Sequence, residues 1–528
     1  MTNSVAKLPL TRLDVLVLAL VALIGLLNVP LPFTWDQALF TLGAKALSHG
    51  AVLYRDYWDT KQPGIFLFYL AGGRLFGFNE VGIHLFELLW QLAFGVTLIV
   101  TLRKYFDNRA VVSLMPLLAV GFYYAVADDA KITQLEAVVG FPIFLTLWGT
   151  LPRDEQAPPD PGRFFFSGLM GGIVLVFKLM FAPIIAAFWF AAFMDALTRR
   201  RATFGQAVLR MALPVALGAA IPLGLLVLYF RMHGAWDLAW WTWVRFPLRA
   251  VADTSAFRLS ALVSGLAWFV FHFAPLMAVA LVGTVASLEG RRGLMTVQIV
   301  NWFVLSFVVI LSQRTSWWPY QYLLLIAPLG ILASRGLDFL WGLATPLKAQ
   351  LGVNRLRVYG LIALALLAGS AIGAQGLKTL MLARDRFALQ PAQRLHFQSA
   401  IATQMPYELV QAEDAFLQQP DSRPGPIYSI ANPLFDLFSG REMASGHNAA
   451  ILIRVMTREE WQKIVDDLRA RPPAYIFVEK QLLPILYEKP DRSGPFLELL
   501  ASSYPLWRHT DRGWWYVRAD STRQGGGR

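Results

Sequence analysis

A succession of long apolar runs constrains this chain more than any other feature of its sequence. A transmembrane helix needs about 20 mostly apolar residues, and runs of this kind recur along the first two thirds of the chain. They lie at residues 13–31, 81–102, 110–127, 137–151, 164–177, 179–197, 207–230, 259–288, 294–312, 320–343 and 358–377. We therefore expect a mainly α, polytopic membrane protein of about eleven transmembrane helices.

The composition agrees with a membrane protein and excludes several other classes. Only 16% of the residues are charged and 56% are hydrophobic, whereas soluble proteins carry about 25% charged residues. The net charge of +12 would suit nucleic acid, but topology recruits basic residues to the cytoplasmic loops of membrane proteins. We therefore expect membrane lipids and no nucleic acid as partners. The chain has 0 cysteines, which excludes disulfides and cysteine nucleophiles.

Basic residues also predict the orientation of the chain. If the N-terminus is cytoplasmic, every loop predicted to lie inside is basic, as the positive-inside rule requires. These loops contain Arg103, Lys104, Arg109, Arg153, Arg163, Arg199, Arg200, Arg201, Arg291, Arg292, Lys348, Arg355 and Arg357. An odd number of spans then places everything after about residue 378 outside. The prediction is an integral protein of the bacterial inner membrane with an uncleaved N-terminal anchor and a periplasmic C-terminal region.

Two predicted external segments are large. The first external loop, about residues 33–80, has helix-like apolar spacing at 36–49 and 63–76, which predicts helices lying flat on the membrane. The tail at 378–528 is charged like a soluble protein. We expect strands at Ile427–Ala431, Ala474–Glu479 and Trp514–Ala519 and a helix at Arg458–Ala470. The chain thus divides into a membrane module, residues 1–377, and a small external α/β domain, residues 378–528.

The first external loop carries two candidate sites. Asp36 lies at the membrane surface, where its carboxylate could act as a general base or cap the helix that follows. Arg55, Asp56, Asp59 and Lys61 lie among aromatic residues. This cluster fits phosphate recognition at the interface, or an aromatic belt with cations that reach the headgroups.

These residues also carry a resemblance to a known family. W-D-Q at Trp35–Gln37, followed by Y-R-D-Y-W-D-T-K-Q-P-G at residues 54–64, resembles the first loop of the GT-C membrane glycosyltransferases. The branch it resembles contains the protein O-mannosyltransferases and lipid A aminoarabinose transferases. The chain departs from that pattern at Gln37, where a second acid is common, and at Gln62, where a proline is usual.

The resemblance implies an inverting glycosyltransferase. Its donor would be a monosaccharide on a polyprenyl phosphate, and its acceptor a hydroxyl of an envelope lipid, glycan or protein on the external face. Asp36 would take the acceptor proton, and Lys61 would hold the donor phosphate. No cofactor is required by this chemistry. A divalent metal is compatible with it but not implied, and Gln37 argues against a metal held by a pair of acids at that point.

Other positions complete the predicted site. Lys178 and Arg314 are expected to contact the donor phosphate, and Asp56, Asp59, Asp128, Asp129, Glu136, Trp241, Arg245 and Tyr320 to contact sugar or acceptor. Each has a plainer interpretation as a solvated loop residue, a cation reaching the headgroups or part of an interfacial amphipathic helix. At the level of the whole chain the alternatives are a lipid or solute transporter and a non-catalytic assembly partner. The sequence shows neither an internal repeat nor a cluster of polar residues at the membrane midplane, and this argues against the transporter.

Overall fold

The computed structural model describes residues 10–154, 156–253, 259–285, 287, 290–313, 317–342, 383–388 and 390–519. In this part of the chain, seven helices are long and apolar enough to cross a membrane. Together with shorter apolar helices they coincide with the first ten predicted spans. The eleventh, at 358–377, lies outside the described residues. The prediction of a mainly α, polytopic membrane protein is confirmed.

The first part of the chain forms a body of helices. The helices are α1 (Arg12–Leu26), α2 (Trp35–Ser48), α3 (Pro63–Phe76), α4 (Glu80–Leu102), α5 (Arg109–Val126), α6 (Leu135–Thr150), α7 (Pro161–Phe177), α8 (Leu179–Thr198), α9 (Phe204–Met232), α10 (residues 236–253), α11 (Leu259–Val285), α12 (Gly290–Ser312) and α13 (Pro319–Gly342). The predicted break between the fifth and sixth spans is present. The backbone of Lys178, between α7 and α8, is extended, with φ −165°.

The first predicted span is shorter than expected. α1 has 15 residues and ends at Leu26, so at about 1.5 Å per residue it does not by itself reach across the hydrocarbon core. Asn28 accounts for the early end, because its side-chain amide donates to the carbonyls of Ile24 and Tyr124, each at 2.9 Å. Pro30, which has no N–H to donate, follows in the same turn.

The two helices predicted in the first external loop are confirmed as α2 and α3. Their apolar faces pack against each other and against the helices around them, and Phe40 and Phe66 are fully buried in an edge-to-face contact. Protein therefore covers these faces. That α2 and α3 lie flat on the membrane stays a prediction.

The C-terminal region contains a small sheet with helices around it. Its elements are α14 (Ala383–Arg386), α15 (Pro391–Ile401), α16 (Tyr407–Asp414), β1 (Ile427–Ile430), α17 (Leu434–Phe438), α18 (Arg458–Ala470), β2 (Tyr475–Glu479), α19 (Leu483–Glu488), α20 (Pro490–Ser503), β3 (Leu506–His509) and β4 (Gly513–Val517). The strand order is β1-β2-β4-β3, with β1 parallel to β2 and the other pairs antiparallel. The predicted α18 has the expected bounds, while β3 was not predicted.

The two ends of the body contain different groups of side chains. At one end, which we call the basic end, Arg103 contacts Asp14, and Lys104 contacts the carbonyls of Pro152 and Arg153. α4 runs from this end to the other, where Glu80 accepts a hydrogen bond from a tyrosine of the C-terminal region. This second end, the site end, also contains the first turn of α2 and the loop between α5 and α6.

Candidate functional site

The first turn of α2 presents Asp36 beside Lys61. The Asp36 Oδ1 atom lies 3.6 Å from the Lys61 Nζ atom, and the two side chains are 18% and 27% exposed. The cap of α2 is Thr34, whose backbone N–H donates to the Gln37 Oε1 atom at 3.1 Å. The capping interaction predicted for Asp36 is therefore made by Gln37, and the Asp36 carboxylate faces the site.

The loop before α3 fixes Lys61 from the backbone side. The buried Asp59 accepts from the backbone N–H of Lys61 at 2.7 Å, and the Lys61 carbonyl accepts from the Tyr54 hydroxyl at 2.9 Å. Burial raises the pKa of Asp59, and Lys61 opposes that shift. Burial would lower the pKa of Lys61, but the carboxylates of Asp36, Asp59 and Glu136 raise it above its usual value. The ammonium group therefore remains charged.

A second lysine closes the cluster from the break between α7 and α8. The Lys178 Nζ atom lies 3.1 Å from Glu136 Oε1 and donates to Gln313 Oε1 at 2.8 Å. Because Lys178 interrupts the helix, the backbone N–H of Leu179 is free to donate to the Gln62 side chain at 2.8 Å. This bond joins the Lys178 break to the residue after Lys61.

A close backbone approach makes this junction possible. A Cβ on Gly64 would lie 2.6 Å from the Phe177 Cα atom, so glycine at this position lets the start of α3 contact the end of α7. Gly64 follows Lys61 by three residues, and Phe177 precedes Lys178. The contact therefore brings the two lysines to the same part of the protein.

Tyr320 completes the group. It lies in the first turn of α13, close to Asp36 and Glu136. The structure thus brings together six of the predicted residues, which are Asp36, Asp59, Lys61, Glu136, Lys178 and Tyr320. The cluster combines a base, two cations and further acids in one partly exposed place.

Other predicted residues lie outside this cluster. Asp56 is half exposed and pairs with Arg55 at 2.8 Å. Asp128 pairs with Lys131, and Arg245 is exposed on α10. Arg314 lies outside the described residues.

Two further predicted residues hold parts of the protein together. Asp129 accepts from the backbone N–H and hydroxyl of Thr403 at 2.7 and 3.0 Å, and burial raises its pKa to about 6. Trp241 contacts Trp58 and Phe246, with ring centroids 6.1 and 5.3 Å away. Both positions support the loops around the cluster, and their predicted contacts with sugar or acceptor stay predictions.

Two amide side chains were not predicted as structural residues. The Gln37 Nε2 group donates to the carbonyls of Asp129 and Ile132 at 2.6 and 2.9 Å. A carboxylate there would face two carbonyl oxygens, so the chain uses an amide to hold the second external loop against α2. Gln62 acts as an acceptor instead, and its bond from the Leu179 N–H joins the segments that carry the two lysines. The only signal in the sequence was the departure of both positions from the pattern of the family it resembles.

An apolar cavity of about 640 Å³ extends to the start of α3 and the end of α7. It lies between α3, α4, α7 and α9, and its walls include Pro63, Phe86, Trp90, Phe177 and Leu225. Pro63 and Phe177 are close in sequence to Lys61 and Lys178. Each lysine therefore lies within two residues of a wall of the cavity, an arrangement that suits an amphiphile with a phosphate head.

Metal binding has no preformed group of ligands in the described ranges. Nowhere in them do three or more His, Asp or Glu side chains group in a way that could hold a metal ion. Both ends of the Gln37 amide contact protein groups. That the chemistry needs no cofactor stays a prediction.

Comparison with known proteins identifies the fold. No family model matches the chain, and neither does any curated protein. Among solved structures, ArnT from Cupriavidus metallidurans bound to undecaprenyl phosphate is similar over 96% of this chain and 98% of that chain, with 14% identity and a TM-score of 0.59. The apo state of the same protein matches over the same lengths, with 14% identity and a TM-score of 0.57. The resemblance predicted from the first loop is thus confirmed at the level of the fold, which is similar to that of ArnT.

Proposed function

We propose that the protein is an inverting glycosyltransferase that moves a monosaccharide from a polyprenyl-phosphate donor to a hydroxyl group on the external face of the membrane. The observation that carries this proposal is the Asp36–Lys61 pair, 3.6 Å apart and partly exposed, beside Lys178 and an apolar groove. The fold of ArnT, which was solved bound to undecaprenyl phosphate, supports the same class of donor.

The lysines supply the binding of the donor head. A phosphate between Lys61 and Lys178 would meet two ammonium groups whose present partners are carboxylates and an amide. Phosphate carries charge and several acceptor oxygens, so it can replace these partners and form charge-assisted hydrogen bonds. The apolar groove between α3, α4, α7 and α9 would cover the first isoprene units, because burial of apolar surface is favourable.

Asp36 supplies the base. When Lys61 turns to the phosphate, the Asp36 carboxylate is free to accept the proton of the acceptor hydroxyl. The acceptor oxygen then forms a bond to C1 of the sugar, and the bond between C1 and the phosphate oxygen breaks. The electron pair leaves with the polyprenyl phosphate, whose charge the two lysines hold. A single displacement of this kind inverts the anomeric carbon.

The arrangement of the two ends supports the proposed orientation. The basic loops around Arg103 and Arg153 lie at one end of the body, and the cluster lies at the other. By the positive-inside rule the basic end faces the cytoplasm, so the site and the C-terminal region face the periplasm. We place the protein in the bacterial inner membrane, with a donor delivered on the external leaflet and a cell-envelope acceptor such as lipopolysaccharide.

The proposal is tested with purified protein in nanodiscs and a panel of polyprenyl-phosphate-linked pentoses and hexoses. Transfer to an envelope lipid, glycan or protein, or slowly to a small alcohol, should release one polyprenyl phosphate for each glycoside formed. Mass spectrometry of envelopes with and without the protein should show one missing monosaccharide. Movement of a sugar lipid across the bilayer without any new glycosidic bond would instead identify a transporter.

A further inference from the structure

The C-terminal region contacts the first external loop just before each of its two central residues. The backbone N–H of Phe33, three residues before Asp36, donates to the Tyr407 hydroxyl at the start of α16. The backbone N–H of Trp58, three residues before Lys61, donates to the Gly446 carbonyl at 3.0 Å. Two separate parts of the C-terminal region thus hold the backbone at equivalent distances from the base and from the phosphate-binding lysine.

Near the second of these contacts, the Trp58 side chain also contacts several residues. Its ring stacks on His447 with centroids 5.5 Å apart and an angle of 11° between the planes. Its indole N–H donates to the Thr242 hydroxyl of α10 at 3.0 Å, and Phe246 meets it edge to face. Burial lowers the pKa of His447 to about 3, so the ring is neutral and the stack is an aromatic contact. Trp58 is 9% exposed.

The segment that carries Gly446 is itself anchored to the C-terminal sheet. The Ala444 N–H donates to the Ile427 carbonyl of β1 at 2.7 Å. The Ser445 hydroxyl donates to Asp467 of α18 at 2.8 Å, and the Asn448 amide donates to Asp436 of α17 at 3.2 Å. A movement of the sheet would therefore be passed to Trp58.

The first contact has the same character. The Tyr407 hydroxyl, which accepts from Phe33, donates to Glu80 at the start of α4 at 2.7 Å. One hydroxyl therefore joins the C-terminal region to the backbone before α2 and to the membrane helix α4. Tyr407 is 2% exposed, so water does not compete for either bond.

We propose that the C-terminal region positions the two halves of the site, with Tyr407 holding the backbone that carries Asp36 and the Gly446–His447 segment holding the backbone that carries Lys61. These are positioning residues, since none of them contacts Asp36 or Lys61. The inference rests on the proposed function for what the two halves do. It goes beyond that function because it assigns separate roles in base placement and donor binding to two contacts of the C-terminal region.

Gly446 allows a one-methyl test. A Cβ at this position would lie 1.9 Å from the backbone oxygen of Asp56, so Gly446→Ala must separate the segment from the loop. The matched control is Gly494→Ala in α20, where the nearest atom is the end of the Arg458 side chain at 3.4 Å. His447→Ala removes the stack without adding a clash. It therefore answers the question if Gly446→Ala fails to fold.

Tyr407→Phe tests the other half. It removes a hydroxyl that accepts from a backbone N–H across the two regions. The matched control is Tyr475→Phe, which removes a hydroxyl that accepts from the backbone N–H of Arg423 at 3.0 Å within the C-terminal region.

Two readouts separate this inference from the proposed function. Hydrogen–deuterium exchange in nanodiscs needs no substrate, and it should rise about tenfold for residues 55–62 in Gly446→Ala and His447→Ala, and for residues 33–37 in Tyr407→Phe. In transfer assays, the Gly446 and His447 variants should raise the donor KM about tenfold with little change in kcat. Tyr407→Phe should lower kcat about tenfold with little change in donor KM.

The controls should resemble the parent protein in both measurements. Exchange unchanged in the three variants would overturn the inference, and so would raised exchange with unaltered KM and kcat. If the parent protein transfers no sugar, the proposed function fails, and the exchange data alone decide whether the C-terminal region holds the two loops.

Discussion

The membrane body has a buried or partly buried ion pair at each end, and the two pairs differ in how far their carboxylates are satisfied. At the basic end, Asp14 is fully buried. Its Oδ2 atom accepts from the Thr11 N–H and from Arg103, each at 2.6 Å, and its Oδ1 atom accepts from the Ser113 hydroxyl at 2.6 Å. Every one of these bonds is short and made within the protein.

At the site end, the Asp36 carboxylate keeps unused capacity. Its nearest cation, Lys61, lies 3.6 Å away, which is longer than a hydrogen bond, and its side chain is 18% exposed. A satisfied carboxylate has its acceptor sites filled by protein donors and fixes the fold. A less fully satisfied one beside a partly exposed cation can accept a proton from a substrate. The comparison therefore supports a structural role for Asp14 and agrees with the role of general base that we propose for Asp36.

The largest effect should follow from Asp36→Asn. Removal of a general base lowers the rate by about 10²–10⁴, while the amide keeps the shape of the side chain and leaves the Thr34–Gln37 cap of α2 intact. We expect kcat for sugar transfer to fall by that factor with donor affinity and thermal stability nearly unchanged. Normal turnover of a folded Asp36→Asn protein would remove the assignment of the base.

Asp14→Ala should show the opposite pattern. Loss of one partner from a buried ion pair costs about 3–5 kcal/mol, and here it would remove the acceptor of the Thr11 N–H and one partner of Arg103. We expect unfolding at a lower denaturant concentration, while kcat per folded molecule stays that of the parent. A catalytic defect that exceeds the loss of folded protein would contradict the structural role of this pair.

The sequence singled out Asp36, Lys61, Glu136 and Lys178 as candidate site residues, but not the contacts that join them. Asp36 and Lys61 were found because both belong to the recognisable pattern of the first external loop, although most of α2 separates them along the chain. The contact between Lys178 and Glu136 depends on how the α7–α8 break meets α6. The Trp58–His447 stack joins residues from opposite ends of the chain. No periodicity in a single sequence encodes such contacts.

The same distinction holds for the fold. α18 was predicted with its observed bounds because its apolar residues recur on one face, where Trp461, Ile464, Val465 and Leu468 are buried. β3 was missed because all four of its residues are exposed, so it has no alternation to detect. The first span was predicted too long because hydropathy does not register the hydrogen bonds of Asn28.

Lys61→Ala sharpens the comparison from the side of the cation. Charge-assisted hydrogen bonds contribute about 1.5–3 kcal/mol, so we expect donor affinity to fall roughly 10–100-fold with little loss of stability. Lys61→Arg should recover part of the affinity, because the charge remains although the compact ammonium does not. Lys45→Ala, at an exposed position of α2, is the control. If Lys61→Ala lowers the stability of the protein and leaves donor affinity unchanged, the Asp36–Lys61 pair has a structural role like that of the Asp14–Arg103 pair.

The smallest expected effect is a pH dependence of stability that comes from buried carboxyl groups whose hydrogen-bonding capacity is not filled. Burial raises the pKa of Asp414 to about 9, helped by the charges of Asp436 and Glu413, and burial raises the pKa of Asp436 to about 7. An unfolded aspartate titrates near 3.9. The folded C-terminal region therefore binds more protons than the unfolded chain at neutral pH, and its stability should decrease as pH rises.

The window from about pH 7.5 to pH 9 reduces the contribution of His447, since its ring is neutral in the folded state and mostly neutral in the unfolded state at these pH values. We expect the free energy of unfolding of the C-terminal region to fall by at most about 1.4 kcal/mol per pH unit for each group. Hydrogen exchange of β1 and β2 measures this free energy. Asp414→Asn should flatten this slope, because an amide cannot ionise. Asp466→Asn, at an exposed position of α18, should leave it unchanged. A slope that Asp414→Asn does not alter would show that Asp414 is already ionised in the folded protein.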